Sequence, residues 1–418
     1  MPIHLRWPFA RLAAAACFLV SALALASCGE VKVPILEQGP QATAPGTQAT
    51  PPAAAAPQVQ PLPPISAVPS PAVTAPGKIN VALLLPLSGP SGTLGQAMLN
   101  AAQMALYDLG DDRLELLTRD TQGTPSGAAS AAQAVIASGA QLILGPLLAA
   151  EVQAVKPIAN SANVPVIAFS TATQLAGDGI YLMGFTPAQE IRRVTAYAHA
   201  HGHDRFAVFA PRVPYGQLVA DAVRAAVTAA GASLVRVEFY DPSLSDIASA
   251  VRNFAAEGHD YDALFLPEGD GRLKTLAPQL PYFGIDPDQV KFLGTGLWDE
   301  PGLGSEPSLD GGWYAAPAPA SRAAFEQHYR ELYQKAPPRL ATLGYDATAL
   351  AAVLSRASPG APFTPAALTN PNGFSGVDGI FRLRSDGLVQ RGLAVLEVHR
   401  GAGEVIDPAP QSFQDIGY

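Results

Sequence analysis

The chain has 418 residues, long enough for more than one hydrophobic core, and carries a net charge of −9 from 26 basic and 35 acidic residues. That acidic balance argues against nucleic acid and anionic lipid headgroups as partners, because both are gripped by clustered lysines and arginines. Only two cysteines are present, Cys17 and Cys28, and both lie within the first 30 residues, so the rest of the chain is held by burial and not by disulfides.

Arg6 and Arg11 precede an apolar run over 12–25, and Ala26-Ser27 place small residues before Cys28. This order of positive, apolar and small-residue regions makes a secretory leader. The run is shorter than the about 20 residues of a membrane span. Leu25-Ala26-Ser27-Cys28 resembles a bacterial lipobox, in which the precursor is cut before the cysteine and the cysteine takes on lipid. The resemblance implies a signal peptide over 1–27, a lipidated Cys28 and a periplasmic workplace. Such lipoproteins carry an aspartate after the cysteine when they stay in the inner membrane. Gly29 stands there, which implies the outer membrane. The alternative is a plain secretory signal with an incidental cysteine. Removing the leader takes away two basic residues and leaves −11.

Residues 38–77 contain no charged residue and are built largely from Pro, Ala, Gln, Thr and Gly. Such a segment cannot bury enough apolar surface to fold, and its prolines favour polyproline II. With Cys28 it forms a spacer over 28–77, whose reach is on the order of 100 Å at about 3.1 Å per residue.

From Lys78 the pattern becomes strand and helix in alternation. Residues 79–85 are a nearly continuous apolar run, the kind buried on both faces of a parallel sheet. Then follow a helix over 91–109, a strand over 114–119, a helix over 127–138, a strand over 141–144, a helix over 150–162 and a strand over 164–169. The alternation restarts with a strand over 205–209, a helix over 217–230, a strand over 233–239 and a helix over 247–257. Strands over 263–266 and 290–293 come next, then long helices over 321–335 and 341–356. Two strands, 379–384 and 389–399, close the chain around Ser385-Asp386-Gly387, a hairpin signal. The fold class is α/β and doubly wound.

Chemical motifs are sparse. The loop Ser88 to Gly95 lacks both the G-x-G-x-x-G spacing and a following Gly-Lys-Ser/Thr. Asp120 alone is a weak ribose ligand. There is no G-x-S-x-G elbow and no H-E-x-x-H helix. His199, His201 and His203 suit a helix C-terminus better than a metal. The sequence therefore predicts a protein without catalytic residues, metal or cofactor. What remains is polar residues at the carboxyl ends of strands, where open α/β sheets bind ligands. They are Ser88 and Ser91; Ser170, Thr171, Ala172 and Thr173; Tyr215; Glu268 and Asp270; and Trp298 and Asp299. Ordinary loop chemistry is the competing reading: hydroxyls cap helices and Trp298 packs between lobes.

The segments VALLLPLSGPSGTLGQAMLNAAQMAL, SGAQLILGPL, VPVIAFSTAT, PYGQLVADAV and GYDATALAA resemble the type I periplasmic binding proteins of the Leu/Ile/Val-receptor family. More narrowly, GPLLAAEVQAV, YLMGFTPAQEIRRV, FLGTGLWDE and GVDGIFRLRSDGLVQRGLAVLEV resemble alphaproteobacterial lipoproteins identified as penicillin-binding protein activators. The resemblance implies two Rossmann-like lobes with a Venus-flytrap cleft and three crossings, near Gly184-Phe185, Trp313–Ala316 and Gly376-Val377. One lobe is then 78–184 plus 317–376, the other 185–316 plus 377–407, with a tail over 408–418. It also implies a partner, either a penicillin-binding peptidoglycan synthase or, in the alternative, the permease of an ABC importer, and a small polar ligand in the cleft. The transport receptors hold an amino-acid carboxylate with a serine where this chain has Leu147-Leu148-Ala149-Ala150. They hold the ammonium with a glutamate where it has Gly294-Thr295-Gly296. A buried, unpaired ammonium is costly, so the resemblance implies a cleft that has lost its amino-acid anchors.

Overall fold

A computed structural model describes residues 77–243, 247–300, 302–358, 360–399 and 402–414. The signal peptide, Cys28 and the spacer up to residue 76 lie outside the described residues, as does the end of the tail.

The first lobe begins with β1 (Ile79–Leu85), α1 (Gly92–Leu109), β2 (Leu114–Asp120), α2 (Pro125–Ala137), β3 (Leu142–Leu144), α3 (Ala149–Ser161), β4 (Val166–Ala168) and β5 (Ile180–Leu182). Its sheet runs β2-β1-β3-β4-β5, all parallel. Alternate residues of β1 serve opposite faces. Val81, Leu83 and Leu85 pack with Met98 of α1, whereas Ala82 and Leu84 pack with Ala128 of α2 and Val152 of α3. That division is why the strand is apolar throughout.

The second lobe holds α4 (Pro187–Ala200), β6 (Arg205–Pro211), α5 (Pro214–Ala230), β7 (Ser233–Tyr240), α6 (Ile247–Ala256), β8 (Ala263–Phe265), α7 (Asp270–Leu276), α8 (Gln279–Tyr282), β9 (Lys291–Leu293) and β10 (Trp313–Ala316). Its parallel strands run β7-β6-β8-β9-β10, which repeats the order of the first sheet. Phe206, Val208 and Ala210 face α4 and α5, while Ala207 and Phe209 face α6.

The chain then returns to the first lobe with α9 (Pro319–Tyr333) and α10 (Ala341–Ala357), followed by the short α11 (Pro365–Leu368). Helix α10 lies against α1 so closely that a Cβ on Gly344 would sit 2.4 Å from the Met98 carbonyl oxygen. A three-stranded antiparallel sheet follows, of β11 (Phe374–Gly376), β12 (Gly379–Leu383) and β13 (Val389–Arg391). Finally β14 (Ala394–His399) pairs antiparallel with β10, and β15 (Ala402–Asp407) pairs antiparallel with β14, extending the second sheet.

The second crossing, expected near 313–316 with the lobe boundary at 316/317, follows directly on the strand β10, after which the chain leaves the second sheet. Two expectations need correction. The run 389–399 is two strands in two sheets, broken at Gly392 and Leu393. Phe381, Leu383 and Val389 are buried in the first lobe's core, so the third crossing comes at Gly392-Leu393 instead of Gly376-Val377. Burial of these apolar side chains decides which lobe the hairpin joins. Short β5 and β15 were not expected.

No helix among the described residues is long and apolar enough to cross a membrane.

Candidate functional site

Both sheets reverse their strand order beside the first strand of each lobe, at β1/β3 and at β6/β8. Ligand clefts of open α/β sheets lie outside the carboxyl ends of the strands. There a cavity of about 380 Å³ opens between the lobes. Thr171, Arg339 and Leu340 line it from the first lobe. Glu190, Tyr215, Leu218, Leu297 and Asp299 line it from the second, and Phe185 stands at the first crossing.

Of the residues the sequence singles out, Thr171, Tyr215 and Asp299 meet on this wall. Tyr215, in the first turn of α5, shares a 2.9 Å hydrogen bond with the Thr295 hydroxyl. Burial raises its phenol pKa above the ordinary value. Asp299 accepts from two arginines, Arg322 Nη1 at 2.9 Å and Arg339 Nε at 3.2 Å.

The others serve local structure. Ser88 donates to Asp120 Oδ2 at 2.7 Å, and Asp120 Oδ1 also accepts the N–H groups of Leu87 (2.8 Å) and Gln122 (2.7 Å). Asp120 is thus a loop latch and not a ribose ligand. Ser91 stands at the N-cap of α1 without a side-chain cap bond. Ser170 is buried and its Oγ accepts from the Ala172 N–H at 3.2 Å, an ST-turn. Thr173 opens an exposed 3₁₀ turn. Glu268 is buried, accepts from the Tyr240 hydroxyl and pairs with Arg272 at 3.5 Å. Trp298 is 1% exposed; its indole N–H donates to the Leu266 carbonyl at 3.2 Å, so it is a core residue of the second lobe. Asp270 opens α7, and its side chain lies outside the described residues. His199, His201 and His203 turn to separate partners: Asp204, the Tyr197 carbonyl and Asp262.

A strongly perturbed carboxyl of the cleft, Glu190, is absent from the residues that the sequence singles out. Glu190 is buried in the first turns of α4, and its Oε2 accepts the Gly296 N–H at 2.7 Å. A Cβ at position 296 would stand 2.5 Å from the other oxygen, so any side chain there would push the carboxylate out of this position. Burial lifts the Glu190 carboxyl to about 7. The Gly296 N–H, Arg339 and Arg391 oppose the shift, and Asp299 adds to it. A signal existed: Glu190 precedes Val194 by four and Ala198 by eight, which puts it on the apolar stripe of its helix.

Behind the cleft lies a buried ionic cluster. Arg339 Nη2 pairs with the fully buried Asp378 at 3.0 Å, and its guanidinium stands 4.2 Å from the centre of the Phe185 ring. Arg391, 2% exposed, donates to the Met183 carbonyl at 2.6 Å and stacks over the same ring at 4.6 Å. Asp346 accepts the Val377 N–H at 2.8 Å. Burial, then the charge of Asp378, raises its carboxyl to about 7.

In the stretch 147–150, Leu148 is the N-cap of α3. Its N–H is taken by Glu151 Oε2 at 3.0 Å.

Two doubly wound lobes, three crossings and a cleft between them define the type I periplasmic binding fold. The chain belongs to the periplasmic binding protein family, which it matches over residues 78–403. The fold is similar to that of an ABC transporter substrate-binding protein from Sphaerobacter thermophilus (21% identity, TM-score 0.67, covering 80% of this chain and 98% of that one). By sequence, 147 residues are 31% identical to the penicillin-binding protein activator LpoA of Photobacterium profundum, covering 34% of this chain and 24% of that protein. Another 26% identity extends over 204 residues of the Leu/Ile/Val-binding protein BraC3 of Rhizobium johnstonii, covering 46% of this chain and 56% of that protein. The chain spans between 24% and 58% of the length of the curated relatives it matches.

Proposed function

We propose that this is a non-catalytic, lipid-anchored periplasmic protein whose receptor fold docks on a penicillin-binding protein and regulates peptidoglycan synthesis. One observation carries the reading. The only basic residue on the cleft wall among the described residues, Arg339, is already engaged by Asp299 and Asp378. A free amino acid entering this cleft meets no open cation for its carboxylate. Its ammonium meets Glu190, whose carboxyl is raised to about 7 and is therefore only about half ionised at pH 7, so the carboxylate of a zwitterion loses hydration without replacement and the ammonium is only partly compensated. The 147-residue likeness to an activator supports the same reading. Lipidation at Cys28, the outer membrane as anchorage and the spacer as tether are parts of the proposal.

A second reading keeps some support: a solute receptor of an ABC importer for amino acids or related small polar ligands. Thr171 and the Tyr215–Thr295 hydroxyl pair offer hydrogen bonds at the cleft, and the likeness to a Leu/Ile/Val-binding protein points the same way.

Capture from detergent-solubilised envelopes with the full chain as bait separates them. The activator reading expects a penicillin-binding synthase among the captured proteins. An ABC permease without a synthase overturns it.

A further inference from the structure

Asp299 sits in the second lobe, on the turn after the buried Trp298, and both cations that hold it come from the first lobe. Arg322, in the first turn of α9, reaches Oδ2 at 2.9 Å, and Arg339, just before α10, reaches the same oxygen at 3.2 Å. The Asp299 side chain is 9% exposed. Other donors of the pair are directed elsewhere: Arg322 Nε to Glu326 at 2.7 Å, Arg339 Nη1 to Thr342 at 3.1 Å and Arg339 Nη2 to Asp378 at 3.0 Å. The two guanidiniums therefore converge on one carboxylate at the edge of the cleft, and that carboxylate is the protein's own.

Paired guanidiniums in a half-dry cleft are a seat for a carboxylate. A carboxylate tethered in that seat competes with any dissolved one at an effective concentration that a free solute does not reach. We infer that Asp299 is a resident stand-in for the acid group of a ligand. It occupies the Arg322–Arg339 seat, ties the two lobes together without solute, and sets the specificity of the cleft against carboxylate ligands. This deepens the proposed function and rests on its reading of the cleft as solute-poor.

The inference makes a gain-of-binding test possible. Formate and benzoate, with formamide and benzamide as uncharged isosteres, are titrated by calorimetry and thermal melting into the full chain and its Asp299→Ala variant. The wild-type melting temperature should not respond to any of the four. Asp299→Ala should melt lower, recover with either carboxylate, and bind benzoate at least tenfold more tightly than benzamide. Adding Arg322→Ala should abolish that preference. Asp299→Asn, which keeps the size of the side chain, covers the case in which the alanine variant does not fold; it should show the same preference in weaker form. Wild-type protein that binds benzoate as tightly as the variants overturns the inference. So do variants that fold and show no preference for carboxylate over amide. Envelope capture with Asp299→Asn separates the two claims. A captured synthase without gained carboxylate binding overturns this inference alone. Gained carboxylate binding without a synthase overturns the activator reading alone.

Discussion

Glu190 gives the stability of this protein a distinctive pH dependence. Its carboxyl is lifted from 4.5 to about 7 in the folded chain, first by burial, against the opposing pull of the Gly296 N–H and of Arg339 and Arg391. Between those two values the folded state holds a proton that the unfolded state releases, so stability falls as pH rises. Across pH 5 to 8 the loss from this one group is about 2–3 kcal/mol, from 1.36 kcal/mol per pKa unit. Asp346 is shifted in the same direction, so the wild-type curve alone does not isolate Glu190. The comparison with Glu190→Gln does. Gln keeps the size of the side chain and an oxygen for the Gly296 N–H, but has no proton to lose. Urea denaturation of the two full-length proteins at pH 5, 6, 7 and 8 should show the variant gaining on the wild type by about 2–3 kcal/mol across the series. A difference that stays constant with pH would mean that Glu190 titrates as an ordinary carboxylate, and the burial argument would be wrong.

Two further outcomes follow from the packing. Gly344→Ala should lower stability by about 1–3 kcal/mol through overpacking, because the new methyl group would meet the Met98 carbonyl oxygen; a thermal melt unchanged from wild type would contradict the tight α1–α10 contact. Asp120→Asn should melt below the wild type at pH 7, because burial is outweighed by the Ser88 hydroxyl and the Gln122, Leu87 and Ser88 N–H groups that hold the Asp120 pKa below 3.8. The folded-state pKa is depressed, so this stabilisation is present above 3.8 and fades as pH falls through the lower folded value; melts at pH 7, 4 and 3 check that the gap closes.

The framework of the fold was readable because its central strands are buried on both faces. Residues 79–85 and 205–209 announce themselves as apolar runs, and their alternation with helices sets the class. The short strands were harder to read. Ile180–Leu182 is three residues after a glycine turn, and its apolar character resembles that of any buried loop end. Over 389–399 the alternation of apolar residues continues across Gly392, so periodicity alone did not reveal that the chain changes sheets there. At the site, Thr171, Tyr215 and Asp299 were legible because they follow strands at their carboxyl ends. Arg322, Arg339, Arg391 and Asp378 were not. The partners that build the site lie far away in sequence, 23 residues for Arg322 and Asp299 and 208 for Arg391 and Met183, and no local spacing signals a pairing made by tertiary contact.

The rate of glycan-strand polymerisation by a penicillin-binding synthase captured from the same envelopes, measured with and without the purified full chain, tests the proposed function most directly. A saturable rise in rate on adding the chain is the predicted result. An unchanged rate, together with uptake of a solute when the chain is supplied to a reconstituted ABC permease, would contradict it.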